Sequence, residues 1–219
     1  MTGEELPVVE PPFGEHDCGE AGDDPTVVGV VLAAGTSSRF GATNKLLAEW
    51  AGAPLVSHAV DMIVQSAAEE VVVVVGDDAE RVRTAISEFQ VTVVNNDRYA
   101  AGQATSVRRG IMAARNHGAD AVVFALGDMP TVEAESLDRL IAAYRAGIGT
   151  ALAAACDGNR GNPVLFARRH FDTLASVTGD SGGREILLTA DGAALVETGD
   201  RGVRVDVDYP DDLSTLRSS

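Results

Sequence analysis

Several things are scarce in this sequence, and each scarcity excludes a class of protein. Two cysteines, Cys18 and Cys156, in 219 residues exclude a disulfide-dense scaffold and a CxxC zinc site. The four histidines show no metal-binding spacing. No apolar run approaches the ~20 residues of a membrane span. The acidic N-terminus lacks the apolar stretch of a secretory signal. The expected location is therefore the cytoplasm, with no membrane partner. Basic charge is short: 17 Lys and Arg stand against 33 Asp and Glu, a net of −16. A basic footprint for DNA or RNA is missing, so nucleic acid is not an expected partner. Lysine is the scarcest base: Lys45 is the only one, beside 16 arginines. An ammonium is a compact point charge and a guanidinium a planar fork. Lys45 is thus marked as a position that needs the compact charge.

The acidity is uneven. Residues 1–25 hold 8 acids and no Lys or Arg, which leaves 25 acids against 17 bases, a net of −8, for the rest. This surface favours solubility and is similar to that of proteins from salt-rich cytosols. The first 25 residues combine Pro, Gly and acids without periodicity, and read as a disordered or loosely packed tail. Residues 26–219 read as one domain, with no linker to divide them.

From Thr26 the pattern is strand, then helix, repeated. Apolar, β-branched runs at 27–33, 70–75, 91–95, 121–126 and 150–156 alternate with helical spacing at 55–67, 78–89, 105–117 and 132–146. Strands apolar on both faces, separated by helices, imply a mainly parallel sheet covered on both sides. After Cys156 come a strand at 162–166 behind an Asp157-Gly158 turn, a short helix at 184–188, and short strands near Leu195 and Val203. These form a small antiparallel addition.

In open α/β sheets, ligands bind beyond the carboxyl ends of the strands. The first such loop is LAAGTSSRFGATNK, 32–45. Its backbone N–H groups can form a nest for phosphate, balanced by Arg39 and Lys45. It is neither a Walker A loop nor a dinucleotide fingerprint. After the 121–126 strand comes LGDMP, which places Asp128 where a carboxylate can hold Mg2+. Near the end, VDVDYPDDL offers Asp206 and Asp208 on a strand. They are expected on opposite sides, so that only one reaches a common site. Asp211 or Asp212 is expected to cap the last helical turn. Three glycine-rich loops remain: NNDRYAAGQATSV, CDGNRGNPVLF and GDSGGR.

In combination, LAAGTSSRFG with Lys45, GQATSV, LGDMP, RGNPVLF, TGDSGGR and DVDYPDDL resemble the MobA-like nucleotidyltransferases, and within them the molybdenum cofactor cytidylyltransferases. The resemblance spans 27–216. It implies a three-layer α/β/α Rossmann-like fold and Mg2+-dependent transfer of CMP from CTP to the terminal phosphate of molybdopterin, with release of pyrophosphate. Leu32, Ala33, Ala34, Gly35, Gly41, Lys45, Gly102 and Ser106 would bind the nucleotide. Arg39, Lys45 and Asp128 would carry the chemistry, and Asp128 and Asp208 the metal. Asn162, Gly182 and Arg184 would face the phosphorylated pterin. An apo-molybdoenzyme is the implied recipient of the product. LAAG rather than LAGG points to CTP: a Cβ at Ala34 narrows the base slot. Tyr209 departs from the pattern, where relatives more often have Thr. A guanylyltransferase of the same fold and a non-catalytic cofactor carrier are the rival readings.

Overall fold

A computed structural model describes residues 6–13, 24–37, 40, 43–179 and 183–216. Ten strands occur among them: β1 (Val8–Val9), β2 (Val27–Ala33), β3 (Glu49–Trp50), β4 (Ala53–Pro54), β5 (Glu70–Val75), β6 (Thr92–Asn95), β7 (Ala121–Leu126), β8 (Ala151–Cys156), β9 (Asn159–Ala167) and β10 (Ala193–Glu197). Seven helices accompany them: α1 (Leu55–Val64), α2 (Ala79–Ala85), α3 (Gln103–Asn116), α4 (Ala134–Arg145), α5 (Phe171–Ser176), α6 (Arg184–Thr189) and α7 (Asp212–Leu216). Eight strands form one sheet in the order β1-β10-β8-β9-β7-β2-β5-β6, and β3 and β4 form a separate antiparallel pair.

The large sheet follows from period-2 alternation in strands that are apolar on both sides. Val31, Ala33, Val73, Val75, Val123, Ala125, Leu152 and Ala154 face one way, where Val56, Val60 and Ile63 of α1 and Leu137, Leu140 and Ile141 of α4 cover them. Their neighbours Val28, Val30, Val72, Val74, Val122, Phe124, Ala151 and Ala153 face the other way, under Val107 and Ile111 of α3, Phe171 and Leu174 of α5, and Ile186 and Leu187 of α6. The result is the expected α/β/α sandwich. Each fully buried Val contributes about 1.5–3 kcal/mol.

Within the large sheet β9 is the one described strand that runs against its neighbours, pairing antiparallel with both β7 and β8. The cause is local. Asp157 and Gly158 both take positive φ, 53° and 70°, which a two-residue hairpin turn requires and which Asp-Gly tolerates. Glu197 at the end of β10 accepts from the N–H groups of Asp157 (3.2 Å) and Gly158 (2.9 Å) and fixes that turn.

Three local expectations are corrected. Around Val203 there is a 3-10 turn, Arg201–Arg204, instead of a strand. Asp200 imposes it: one carboxylate oxygen accepts from Gly202 N (2.7 Å), and the other holds Glu133 N and Ser136 Oγ at 2.9 Å. Residues 205–208 form no strand either. In the segment expected to be a loose tail, Val8–Val9 pairs parallel with β10. Leu195 N donates to Pro7 O at 2.8 Å, while Val9 and Phe13 pack on one core and Leu6 on the other. Two residues between prolines carry no periodicity to read. Proline, with no N–H to give, suits only such an edge.

Candidate active site

The carboxyl ends of β2 and β7 open into a cavity of about 620 Å³. Leu32, Ala34, Gly35, Thr36, Ser37 and Lys45 line one side, Tyr99 to Gln103 with Ser106 a second, and Leu126, Asp128 and Asp208 the third.

The glycine-rich loop is held at its far end by Asn44, which is 6% exposed. Its Oδ1 accepts from Ser37 Oγ (3.1 Å) and Leu46 N (3.0 Å), and its Nδ2 donates to Asp77 O (3.3 Å). Ser37, at φ 50°, takes the backbone N–H of Lys45 on its hydroxyl at 3.0 Å. Leu46 is buried in the core and anchors the next residue. Lys45 is thereby aimed inward, with little freedom.

Its Nζ lies 2.6 Å from Asp128 Oδ2 and 2.9 Å from Asp208 Oδ1. The three side chains are 14%, 17% and 33% exposed. Burial acts most strongly on the ammonium, and downward. Asp128 and then Asp208 outweigh it through charge and hydrogen bonds, so the net shift is upward and Lys45 is charged at neutral pH. The chain brings these residues together by pairing Val207 N with Asp128 O at 3.0 Å. Val207 is buried against Phe40 and Leu55, which turns its neighbours the other way. Residues two apart in extended chain share a side, so the expectation of opposite sides for Asp206 and Asp208 was mistaken. Burial, and then the charges of Asp128 and Asp208, push the Asp206 carboxyl above its ordinary range, against a smaller pull from its own backbone and Lys45. Asp212 does not act as a simple cap: its Oδ2 accepts from the N–H groups of Asp208 (2.9 Å) and Tyr209 (2.7 Å) and fixes the loop that presents Asp208.

Asp128 Oδ1 is buried and has no hydrogen-bond partner. Among the described residues no three His, Cys, Asp or Glu side chains gather as a metal cage. Two carboxylates with one unused buried oxygen fit Mg2+, which takes one or two carboxylates and fills the rest of its shell with water and phosphate oxygens.

On the opposite wall, Asn96 (2% exposed) donates to Thr105 Oγ1 and Ser106 Oγ, both at 2.9 Å, and accepts from Arg98 N. Ser106 Oγ thus keeps its proton for an acceptor in the cavity. Gly76 is required here: a Cβ on it would lie 2.7 Å from Tyr99 Cβ and 2.8 Å from Ala34 Cβ. The side chains of Ala34 and Tyr99 therefore both lie against Gly76, just beyond β5.

A second cavity of about 200 Å³ adjoins the first and shares Leu32, Gln103 and Leu126 with it. Arg160, Asn162, Gly183 and Arg184 line it, over Phe124, Val164, Phe166 and Leu187. Of the residues predicted from sequence, Leu32, Ala34, Gly35, Lys45, Gly102, Ser106, Asp128 and Asp208 gather at the larger cavity, and Asn162 and Arg184 at the smaller. Ala33 does not join them: it is fully buried on the α1 side of the sheet. Arg39, Gly41 and Gly182 lie outside the described residues. Sequence reasoning missed Asn44 and Asn96, whose work depends on hydrogen bonds that only the folded loops and Asp77 supply, and Arg160. An Asn directly before the lone lysine was the one available hint, since Asn is a favoured cap.

Residues 29–194 match the MobA-like NTP transferase domain. Nicotine blue oxidoreductase of Paenarthrobacter nicotinovorans is 31% identical over 203 residues, 89% of this chain and 98% of that protein. Among solved structures, Rv0371c of Mycobacterium tuberculosis superposes with a TM-score of 0.77 at 29% identity, over 90% of this chain and 100% of that one. The same protein has also been solved in complex with manganese. A nucleotidyl transferase from Methanothermobacter superposes with a TM-score of 0.74 at 25% identity, over 88% and 96% of the two chains.

Proposed function

The chain belongs to the MobA-like NTP transferase family and is a nucleotidyltransferase; from that premise we propose that it transfers CMP from CTP to the terminal phosphate of molybdopterin and releases pyrophosphate. One observation carries the reading: the single lysine meets Asp128 and Asp208 at the mouth of a cavity walled by the glycine-rich loop. The domain doing this work is residues 26–219.

The backbone of Gly35 to Ser37 receives the triphosphate, and Arg39 and Gly41 complete that loop. Lys45 offsets charge that builds on the α-phosphate. Asp128 and Asp208 would hold Mg2+, which when bound acts as Lewis acid and template. A manganese complex of the Mycobacterium relative supports a divalent ion in this fold. Asn162, Gly182 and Arg184 orient the acceptor so that its phosphate lies in line with the bond to be broken. That phosphate is already ionised at neutral pH, so no general base is needed. Catalysis is then positioning and electrostatic stabilisation. Ser106 and the Gly102 loop hydrogen-bond the base. The packing of Ala34 against Gly76 and Tyr99 narrows the slot and supports the smaller pyrimidine.

The test is pyrophosphate release with molybdopterin and Mg2+, with CTP against GTP, at low and at molar KCl. CTP preference supports the proposal, and GTP preference replaces it with the guanylyltransferase. Tight cofactor binding without pyrophosphate release would make the chain a carrier that delivers to an apo-molybdoenzyme. NADH included as a separate arm distinguishes a redox reaction of the kind named for the Paenarthrobacter relative.

A further inference from the structure

The glycine-rich loop is built from small and polar residues, with one exception. Between Gly35 and Asn44, Phe40 is the only large apolar side chain. A loop that wraps phosphate has no need of a benzyl group, and Phe40 is not among the residues that line the cavity. It is 9% exposed and packs instead with Leu55 and Val207, both fully buried. These three form a small cluster of their own, apart from the two cores on the faces of the sheet.

The members come from three places. Phe40 is in the middle of the loop, Leu55 opens α1, and Val207 immediately precedes Asp208. Trp50 on β3 and Leu213 on α7 pack against them. Each arm leads back to the site. Phe40 N donates to the carbonyl of Ser37 at 2.9 Å, and Ser37 lines the cavity. Val207 N donates to Asp128 O at 3.0 Å. Leu213 follows Asp212, whose carboxylate holds the N–H groups of Asp208 and Tyr209. One ring is thus wedged between the wall offered to phosphate and the segment that carries a metal carboxylate. Close-packed interiors transmit displacement instead of absorbing it. A ligand that orders one of the two segments orders the other, and the second ligand then has less ordering left to do.

We propose that Phe40 and Val207 are positioning residues that couple the triphosphate loop to the carboxylates for the divalent cation, so that each ligand tightens the other's binding through this apolar cluster as well as through direct contact. This rests on the reading of the larger cavity given above. Trp50, the single tryptophan of the chain, reports on the cluster. Its ring lies 4.9 Å from that of His58, centroid to centroid, and His58 Nε2 is 2.8 Å from its carbonyl oxygen.

The experiment is titration calorimetry of CTP without acceptor, in EDTA and in Mg2+, which gives the factor by which Mg2+ tightens nucleotide binding. Phe40→Ala and Val207→Ala should each cut that factor at least about fivefold, the lower end of coupling between sites. Phe40→Leu, which refills most of the space, should return it to within about twofold of the parent. Leu140→Ala, a truncation in the core under α4, should lower the melting temperature and leave the factor within about twofold. A merely structural role would weaken CTP binding equally with and without Mg2+. The emission of Trp50 should change when CTP and Mg2+ are added to the parent, and change less in Phe40→Ala. An unchanged factor in both Phe40→Ala and Val207→Ala overturns the proposal, as does an equal fall in Leu140→Ala. Binding of neither CTP nor GTP by the folded parent overturns the reading of the larger cavity and this proposal with it, whereas nucleotide binding with an unchanged factor overturns this proposal alone.

Discussion

The two adjoining cavities balance their charge in opposite ways. In the larger, Lys45 is met by Asp128 and Asp208 at 2.6 and 2.9 Å, so the cation has its counter-charge within the chain. In the smaller, Arg160 and Arg184 form no ion pair among the described residues, and the charge of Arg184 adds to burial in lowering the ordinary value of Arg160. The first arrangement holds the ammonium and both carboxylates in place before any ligand arrives, which is what electrostatic preorganisation requires. The second leaves two like charges on one cavity without a counter-charge among the described residues. Loss of a charge should therefore damage the fold on one side and relieve it on the other.

The largest expected effect comes from removing the shared carboxylate. Asp128→Ala should lower kcat by about 10²–10³ or more while circular dichroism stays native. Wild-type turnover in this variant would sink the assignment of the site. Next, Lys45→Met leaves two carboxylates without their cation. Breaking a fully buried pair costs about 3–5 kcal/mol, and a pair a third exposed on one side should cost less, about 1–3 kcal/mol by urea unfolding. Added Mg2+ should restore much of that loss, because a divalent cation binding the folded state stabilises it; equal stability with and without Mg2+ would break the comparison. On the other side, Gly161→Ala forces Val203 away and should cost about 1–3 kcal/mol as an overpacked site, whereas Arg160→Gln beside it should cost nothing measurable.

The smallest effect concerns acid. Burial acts most strongly on Glu197 and upward, but the N–H groups of Gly158, Gly199, Asp157 and Thr198 prevail and bring its carboxyl below the ordinary 4.5. A lowered folded-state value means stability that is present above the ordinary value and lost as pH falls through the lowered one. Glu197→Gln should therefore flatten the loss of stability below about pH 4.5, and unchanged acid unfolding would show that the turn does not depend on this carboxylate.

Much of the sheet was legible because β2, β5, β7 and β8 are apolar on both faces, a pattern that constrains neighbours as well as conformation. Lys45 and Asp128 were legible for a related reason: each sits in the first loop after such a strand. The 205–208 segment was not, because alternation there arises from Val207 reaching the core while no partner strand exists. Asn44, Asn96 and Arg160 were opaque for another reason. Asn44 reaches Asp77 O only once β5 lies beside β2, Asn96 reaches Ser106 only once α3 has begun, and Arg160 reaches its cavity only once β9 is in place. Ala33 shows the converse: the motif was read correctly, yet the side chain it named belongs to the core.

The β1 strand has a practical consequence for anyone trimming this protein. The matched domain begins at residue 29, and a shortened gene starting near Thr26 would look safe. It would remove the two residues that sit against β10 and would uncover Leu195 N, together with the apolar surfaces under Leu6, Val9 and Phe13. A bare strand edge is a template for another copy. Such a shortened protein should keep its cavity and self-associate more strongly than the full chain, which sedimentation over a range of concentrations would show.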